Sequence, residues 1–311
     1  MSDARPSGGA HTVAEGEGIL ISVAPKSHTR RWAWLTLPQL LFTGGVILLS
    51  QFVFLKSSLH EDTGLGLQSP AVTLTNYLLV WQDGDYLAAL GLTLRLAFIV
   101  VLVSVLIAWP IAYVLSRMRT RAPTTILTAV IAASFIPLPI KALGLMILFS
   151  AEGVVMTALR ALDLVGPDFR FIGSFFAVAV GYTHLAIGFM VTMLFNTLLA
   201  VPARLEEAAA IHGAQRLRVL WRVVLPLSLP GTLSASLVLF NLLTGAFVSA
   251  VLLGGGKILT LPVLIQRTLI LDNDYGIAAT LAVVLLVIVL AVNIFSVLAA
   301  ARITPGAKVI T

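Results

Sequence analysis

The chain has 311 residues, 59% of them apolar and 11% charged, with a net charge of +6 and a mean hydropathy of +1.01. A soluble domain carries about twice this charged fraction, so the composition favours an all-α polytopic membrane protein. The absence of cysteine from the sequence excludes disulfides, thiolate metal sites and a cysteine nucleophile. In a membrane protein the position of the basic residues matters more than their sum, so the net charge does not indicate a nucleic-acid partner.

Three regions follow one another along the chain. Residues 1–32 are polar and rich in Gly, Ala and Ser, which predicts a flexible N-terminal tail without the apolar core of a signal peptide. Residues 33–302 are predicted to form the transmembrane domain, and residues 303–311 a C-terminal tail.

Six segments are long and apolar enough to cross a membrane, which takes about 20 residues of helix. They predict six transmembrane helices, at 33–55, 89–115, 124–149, 173–199, 230–252 and 276–301. The third segment contains Pro137, Pro139 and Lys141, so we expect it to be the least regular.

Arginine and lysine are concentrated in alternate connections between these segments. They are fewer in the other connections. Those in the N-terminal tail and after the second, fourth and sixth segments are Lys26, Arg30, Arg31, Arg117, Arg119, Arg121, Arg204, Arg216, Arg218, Arg222, Arg302 and Lys308. By the positive-inside rule, both termini and the loop at 200–229 are predicted to be cytoplasmic.

The loop at 200–229 contains the polar stretch LEEAAAIHGAQRLRVLWRVVLPLSLP. Its composition predicts a short helix from Pro202 to His212, ended by Gly213, because glycine readily adopts the left-handed conformation that closes helices. A second helix is predicted at 215–225, stopped by Pro226 and Pro230.

The first of these helices has a face of small residues, Ala208 and Ala209, bordered by Glu206 and Glu207. Small side chains permit close docking of a partner, and a carboxylate beside a partner's cation sets the register. A solvated loop that only caps the helix bundle fits the same residues. The residues alone leave both interpretations open.

The same stretch resembles a motif of ABC importer permeases: Glu-Ala-Ala, three residues, Gly, nine residues, Ile, one residue, Leu-Pro. This chain has Glu207-Ala208-Ala209, Gly213, Val223 and Leu225-Pro226 at the matching positions, with Val in place of Ile. The resemblance implies a cytoplasmic coupling helix that docks in a cleft of an ATPase subunit. The coupling residues it implies, with the neighbouring carboxylate, are Glu206, Glu207, Ala208, Ala209, Gly213, Leu225 and Pro226.

Two further stretches, Phe240–Leu269 and Thr73–Ala97, are similar to spermidine/putrescine-type permeases, and the resemblance extends over about residues 33–302. It implies a multi-pass permease of the bacterial inner membrane in a type I importer. The implied partners are two ATPase subunits that bind ATP and Mg²⁺, a second permease subunit, identical or different, and an external solute-binding protein.

The chain itself lacks the residues for nucleotide or metal chemistry. The one candidate phosphate loop, at Gly256-Lys257, has Val251 where the first glycine should stand and Ile258 where Ser or Thr is needed. The five histidines form no pair with metal-ligand spacing. We therefore expect a transport subunit without an ATPase site and without a bound cofactor.

Polar residues at membrane depth mark a candidate solute path, because burying them in lipid is costly. The candidates are Lys141, His184, Asn241, Thr244 and Phe247. Hydrogen bonds between helices explain His184, Asn241 and Thr244 equally well, and Lys141 could extend to the membrane interface. The absence of a mid-span carboxylate from the sequence leaves an anionic or zwitterionic solute as open as a polyamine.

Two other functional classes fit a polytopic helical protein. An ion-driven secondary transporter would need mid-span carboxylates or an inverted repeat. A membrane scaffold would give no reason for the motif that begins at Glu207-Ala208-Ala209.

Overall fold

The computed structural model describes residues 28–64 and 67–303. Most of the predicted N-terminal tail, residues 1–27, lies outside the described residues, as do residues 304–311 at the other end. The first helix, α1 (His28–Ser58), begins inside the segment assigned to the tail. The chain divides into two units, Met1–Gln51 and Phe52–Thr311, and every element after α1 lies in the second.

Five helical stretches of the described chain are long and apolar enough to cross a membrane. Four of them confirm predicted segments within a few residues: α1, α3 (Gly84–Arg117), α7 (Phe175–Leu199) and α13 (Tyr275–Ile303). Their hydropathy follows from runs of Leu, Val, Ile and Ala that are interrupted by few charges.

The third predicted segment is not one straight helix. It divides into α4 (Ala122–Ser134) and α5 (Leu138–Leu148), which meet at an angle of 93°. The break coincides with Pro137 and Pro139, and each proline disfavours helical backbone at the residue before it. The segment predicted at 124–149 is thus the least regular, as expected, and the described chain has six candidate spans if this bent pair is counted as one. A short helix, α6 (Val154–Ala161), follows it.

The fifth predicted segment also needs correction, because Pro226 and Pro230 do not stop the preceding helix. One helical stretch runs from Arg216 to Thr244, formed by α9 (Arg216–Val219), a π-helical turn (Leu220–Val224) and α10 (Leu225–Thr244). In the wide turn the N–H of Leu225 donates to the carbonyl of Leu220, five residues back. This turn shifts the hydrogen-bond pattern just before Pro226, where proline has no N–H to donate.

The helix then ends earlier than predicted, at Thr244 rather than at residue 252. A break at 245–247 separates it from α11 (Val248–Gly254), and α12 (Leu261–Ile270) precedes α13. A short antiparallel hairpin, β1 (His60–Asp62) and β2 (Gln68–Val72), together with α2 (Thr75–Gln82), connects α1 to α3.

The core of this unit lies between α3, α7 and α10. Small residues allow α3 and α7 to pack closely along their length, which is how membrane helices associate without a hydrophobic driving force. The fully buried small residues on these two helices include Ala97, Ala108, Ala112, Ala177 and Ala186. At Gly181 a Cβ atom would lie 2.3 Å from Leu253 Cδ1, so a larger residue there would displace the Leu253 side chain where α7 contacts α11.

Helices α3 and α7 run in the same direction. The Arg95 guanidinium lies 5.7 Å from the Phe175 ring centroid near their starts, and Arg117 contacts the Leu198 carbonyl at their ends. The short helix α8 (Ala203–Ile211) follows α7 at this second end, which we call the α8 end. The opposite end, formed by β1, β2, α2 and the start of α13, is called the hairpin end.

Candidate functional site

Helix α8 and the turn after it have the geometry that the sequence predicts. Pro202 stands at the N-cap with extended ψ of 125°, and the helix ends at Ile211, one residue before the predicted end. Gly213 follows with φ of +77°, in the left-handed region. The N–H groups of Gly213 and Ala214 close the turn by donating to the carbonyls of Ala210 and Ala209, at 2.9 and 3.1 Å.

The outer surface of this helix-turn-helix is open. None of the nine residues of α8 is buried within the described chain. Three large apolar side chains of this region, Ile211, Leu217 and Trp221, are 84%, 66% and 63% exposed. A cluster of exposed apolar side chains among charges is typical of a binding surface.

The two carboxylates of α8 have different surroundings. The Glu207 side chain is exposed, with one weak ion pair of 3.6 Å to the still more exposed Arg119. Glu206 points into the protein, where Arg117 Nε donates to its Oε1 at 2.7 Å and the Tyr113 hydroxyl donates to its Oε2 at 2.8 Å. The Glu206 and Arg117 side chains are each 19% exposed. Glu206 therefore ties α8 to α3, whereas Glu207 lies at the surface.

Arg117 also caps the end of α7. Its two terminal nitrogens donate to the carbonyls of Leu198 and Val201, at 3.1 and 3.2 Å. The last carbonyls of a helix have no partner within the helix, and a cation near them is favoured by the helix dipole. One arginine thus joins the C-terminal ends of α3 and α7 to α8.

An open groove of about 840 Å³ lies between the end of α3 and the helix-turn-helix. Its walls include Tyr113, Arg117, Glu206, Glu207, Ala210 and Leu217. Two further motif residues, Leu225 and Pro226, stand at the start of α10. Leu225 is half-buried and Pro226 is exposed. The sequence did not predict that Tyr113 and Arg117 would contact Glu206. The only signal was their spacing of four residues near the end of a predicted helix.

The candidate path residues are distributed over four places. Lys141 lies in α5, with Nζ 3.3 Å from the Ser134 carbonyl, and His184 is exposed on α7. Asn241 on α10 exchanges two hydrogen bonds with Asn293 on α13, at 3.0 and 2.8 Å. Thr244 is buried and donates to the Asn241 carbonyl at 3.0 Å. Phe247 lies in the break after α10, partly exposed.

The described chain thus has helices of membrane-spanning length, a broken third segment and a helix-turn-helix at one end. The chain matches the family described as binding-protein-dependent transport system inner membrane component over residues 110–305, and it belongs to that family. It is the permease subunit of a type I ABC importer, a multi-pass inner-membrane protein. Permease subunits of these importers are transport components and are not themselves catalytic.

Two relatives and one solved structure illustrate the match. The chain is 24% identical over 242 residues to the spermidine/putrescine transport system permease protein PotB of Haemophilus influenzae, covering 78% of this chain and 84% of the relative. It is 30% identical over 212 residues to the molybdenum transport system permease protein ModB of Mycobacterium bovis, covering 67% and 77%. A chain of a bacterial alginate ABC transporter, in complex with alginate pentasaccharide-bound periplasmic protein, superposes with a TM-score of 0.73 at 19% identity, covering 89% and 96%.

Family membership decides among the functional classes that the residues left open. It selects the ABC importer over the ion-driven transporter and the scaffold. The structural likeness supports the fold alone, because the identity is below 25%.

Proposed function

We propose that this permease moves a small polar solute into the cytoplasm and is driven by two ATPase subunits that dock on α8. A second permease subunit, identical or different, and an external solute-binding protein complete the assembly. The observation that carries the proposal is the geometry of α8: its outer surface is entirely unburied, while Glu206 fixes it to α3. A helix that is open on one side and anchored on the other suits a docking element.

The exposed surface has the chemistry of a protein-binding site. Glu207 supplies a carboxylate, and Ile211 and Leu217 supply apolar area. Ala208 and Ala209 let a partner backbone approach, since they present only methyl groups. Leu225 and Pro226 complete the motif at the start of α10, where the π turn connects the docking element to a spanning helix.

The charges of the α8 end support a cytoplasmic orientation. Arg117, Arg119 and Arg121 lie at the junction of α3 and α4, and four further arginines lie in α8, α9 and the π turn: Arg204, Arg216, Arg218 and Arg222. Cytoplasmic connections of membrane proteins carry such an excess of arginine and lysine. This orientation would place α8 on the side where ATP is available.

The proposed cycle follows from docking. ATP and Mg²⁺ bind on the partner ATPases and close them, and their motion displaces α8 with the attached ends of α3 and α7. The transmembrane helices then alternate between outward-open and inward-open arrangements. Such a shift requires that the docked ATPases contact the two arrangements with different free energies.

The solute is proposed to be polyamine-like, because a relative of this chain is a spermidine/putrescine permease. A zwitterionic or anionic solute, such as an aminophosphonate, is the alternative that Lys141 favours, and another relative serves molybdenum transport. Lys141, His184, Asn241, Thr244 and Phe247 remain the proposed path residues.

Co-purification with the ATPase tests docking. The variant Gly213→Val should insert into the membrane but lose the ATPase and solute uptake, because a β-branched residue at φ of +77° distorts the turn after α8. Gly256→Val is the matched control: Gly256 has φ of +73°, equally open surroundings, and lies far from α8 in the sequence.

Comparison with Gly256→Val distinguishes a specific loss of ATPase binding from a general effect of backbone strain. We expect Gly256→Val to retain the ATPase, and equal loss in both variants would contradict a specific role for the α8 turn. Glu207→Lys should also weaken ATPase retention, because it reverses the exposed charge. Unchanged retention in that variant would remove Glu207 from the docking surface.

A further inference from the structure

One face of α3 joins three other helices near the α8 end. Trp109, Tyr113 and Arg117 are spaced by four residues, so they lie in a row along α3. We propose that this row, named the α3 ladder, carries the displacement of α8 into the transmembrane helices. The ladder residues are positioning residues, and the inference rests on the proposed function.

The ladder is continuous. The Trp109 and Tyr113 rings stack with centroids 5.7 Å apart and planes 5° from parallel, and the Arg117 guanidinium lies 5.6 Å from the Tyr113 centroid. Each member therefore contacts the next, and the row spans more than two helical turns, or about 12 Å along the axis.

The ladder reaches three other helices, α7, α8 and α10. Trp109 Nε1 donates to Ser228 Oγ of α10 at 3.4 Å. The Tyr113 hydroxyl donates to Glu206 of α8, and Arg117 bonds both Glu206 and the carbonyls after α7. A displacement of α8 through Glu206 is thus applied directly to α3 and α7, and through Trp109 to α10.

The joint at Glu206 is stiffer than the ion pair next to it. Glu206 accepts two short hydrogen bonds in a half-buried setting. Both end on its carboxylate and are therefore charge-assisted, and such bonds are about twice as strong as neutral ones. The Arg119–Glu207 pair is long and exposed, and such pairs contribute little. Because no residue of α8 is buried in the described chain, Glu206 is its main polar attachment to the spanning helices.

The test is the number of spermidine molecules, representing the proposed polyamine-like solute, imported per ATP hydrolysed. It is measured with the complete transporter reconstituted in liposomes. Glu206→Gln keeps the shape of the side chain and removes its charge. We expect the complex still to co-purify, with about tenfold less uptake per ATP, because changes at coupling positions alter coupling by up to about that factor. Asp83→Asn is the matched control, a carboxylate-to-amide change at the far end of α3 that keeps an acceptor for the Asp85 N–H.

The outcomes separate the inference from the proposed function. A wild-type preparation without an associated ATPase would overturn the proposed function itself. A wild-type complex that transports, with an unchanged ratio in Glu206→Gln, would overturn only the α3 ladder. An equal fall in Asp83→Asn would also overturn it, since the effect would not be specific to the joint.

A second measurement distinguishes transmission from structural support. Because the sequence has no cysteine, the pair Arg117→Cys and Glu206→Cys can be joined specifically by a short thiol crosslinker. We expect a low transport ratio before crosslinking and a recovery of severalfold after it, since the covalent link replaces the lost joint. A ratio that stays low in the crosslinked, assembled complex would overturn the mechanical role.

Discussion

The α8 end and the hairpin end of the bundle both join helices through polar groups, but they do so differently. At the hairpin end, the Ser58 carbonyl accepts from Asn76 Nδ2 at 3.1 Å and from Thr280 Oγ1 at 3.2 Å. Asn76 also donates to the His60 carbonyl at 2.9 Å. These three partners of the network, Ser58, Asn76 and Thr280, are all buried. At the α8 end, the pair of Arg117 and Glu206 is only half-buried, and α8 lies open.

The hairpin end is closed, because its polar network is buried, and the α8 end is open, because α8 is exposed. The hairpin end satisfies its buried polar groups within the chain, as a stable interior requires. The α8 end leaves Ile211 and Leu217 exposed, which fits the proposed docking of another protein on this surface. Changes at the hairpin end should therefore reduce stability, and changes on the outer face of α8 should affect assembly.

The largest effect is expected for Asn76→Ala. It removes two hydrogen bonds, one of them to the buried Ser58 carbonyl and the other to the partly buried His60 carbonyl, which should cost about 3 kcal/mol of unfolding free energy. Thermal unfolding in detergent would measure the loss. Ser69→Ala, on the same hairpin, is the control and should change stability by less than about 0.5 kcal/mol. Equal stability of both variants would contradict a closed hairpin end.

Gly276→Ala should have the next largest effect. A Cβ at this position would lie 2.6 Å from the His60 carbonyl oxygen and 2.9 Å from Asn76 Nδ2, so the hairpin must move. Overpacking of this kind costs about 2 kcal/mol. Gly91→Ala, in open space on α3, should instead be neutral or stabilise by up to about 1 kcal/mol. A neutral result for Gly276→Ala would mean that the hairpin end accommodates the added methyl group without loss of stability, which would contradict tight packing there.

A smaller effect is expected for the amide pair of Asn241 and Asn293, which joins α10 to α13. A double-mutant cycle with Asn241→Leu and Asn293→Leu should give a coupling of about 0.6 kcal/mol, typical of such bonds in membranes. Transport kinetics sharpen the result: a solute contact at Asn241 predicts a larger rise in KM for Asn241→Leu than for Asn293→Leu. Equal KM values would leave the amide pair a purely structural contact.

The smallest change in stability is expected for Ile211→Ser. Its side chain is almost fully exposed, so unfolding should change by less than about 0.5 kcal/mol. Retention of the ATPase should nevertheless weaken, while Leu162→Ser, an exposed apolar position outside α8, should leave it unchanged. If Ile211→Ser lowered stability but retained the ATPase, Ile211 would belong to the packed interior of the chain and not to a docking surface.

Some parts of the fold follow from local sequence patterns. Four spanning helices were predicted within a few residues, because about 20 apolar residues in a row can satisfy their backbone only as a helix in lipid. The end of α8 at Gly213 was also predicted, since few residues other than glycine tolerate its backbone conformation.

Prolines were harder to interpret from sequence. Pro137 and Pro139 break the third segment, whereas Pro226 and Pro230 lie within a continuous helix. The same residue type has opposite outcomes because the π turn before Pro226 adjusts the backbone hydrogen bonding at that point. Proline by itself does not decide between a break and a tolerated interruption.

The sequence by itself determined the membrane class, the position of most spans and the motif that identifies the family, since each depends on residues close together in the chain. Only the tertiary structure decided which carboxylate of α8 is anchored to α3 and which is exposed. Glu206 meets Arg117, which is 89 positions away, and adjacent Glu207 faces outward. Two neighbours of identical chemistry differ only in the side of the helix on which they lie, and their surroundings come from distant parts of the chain.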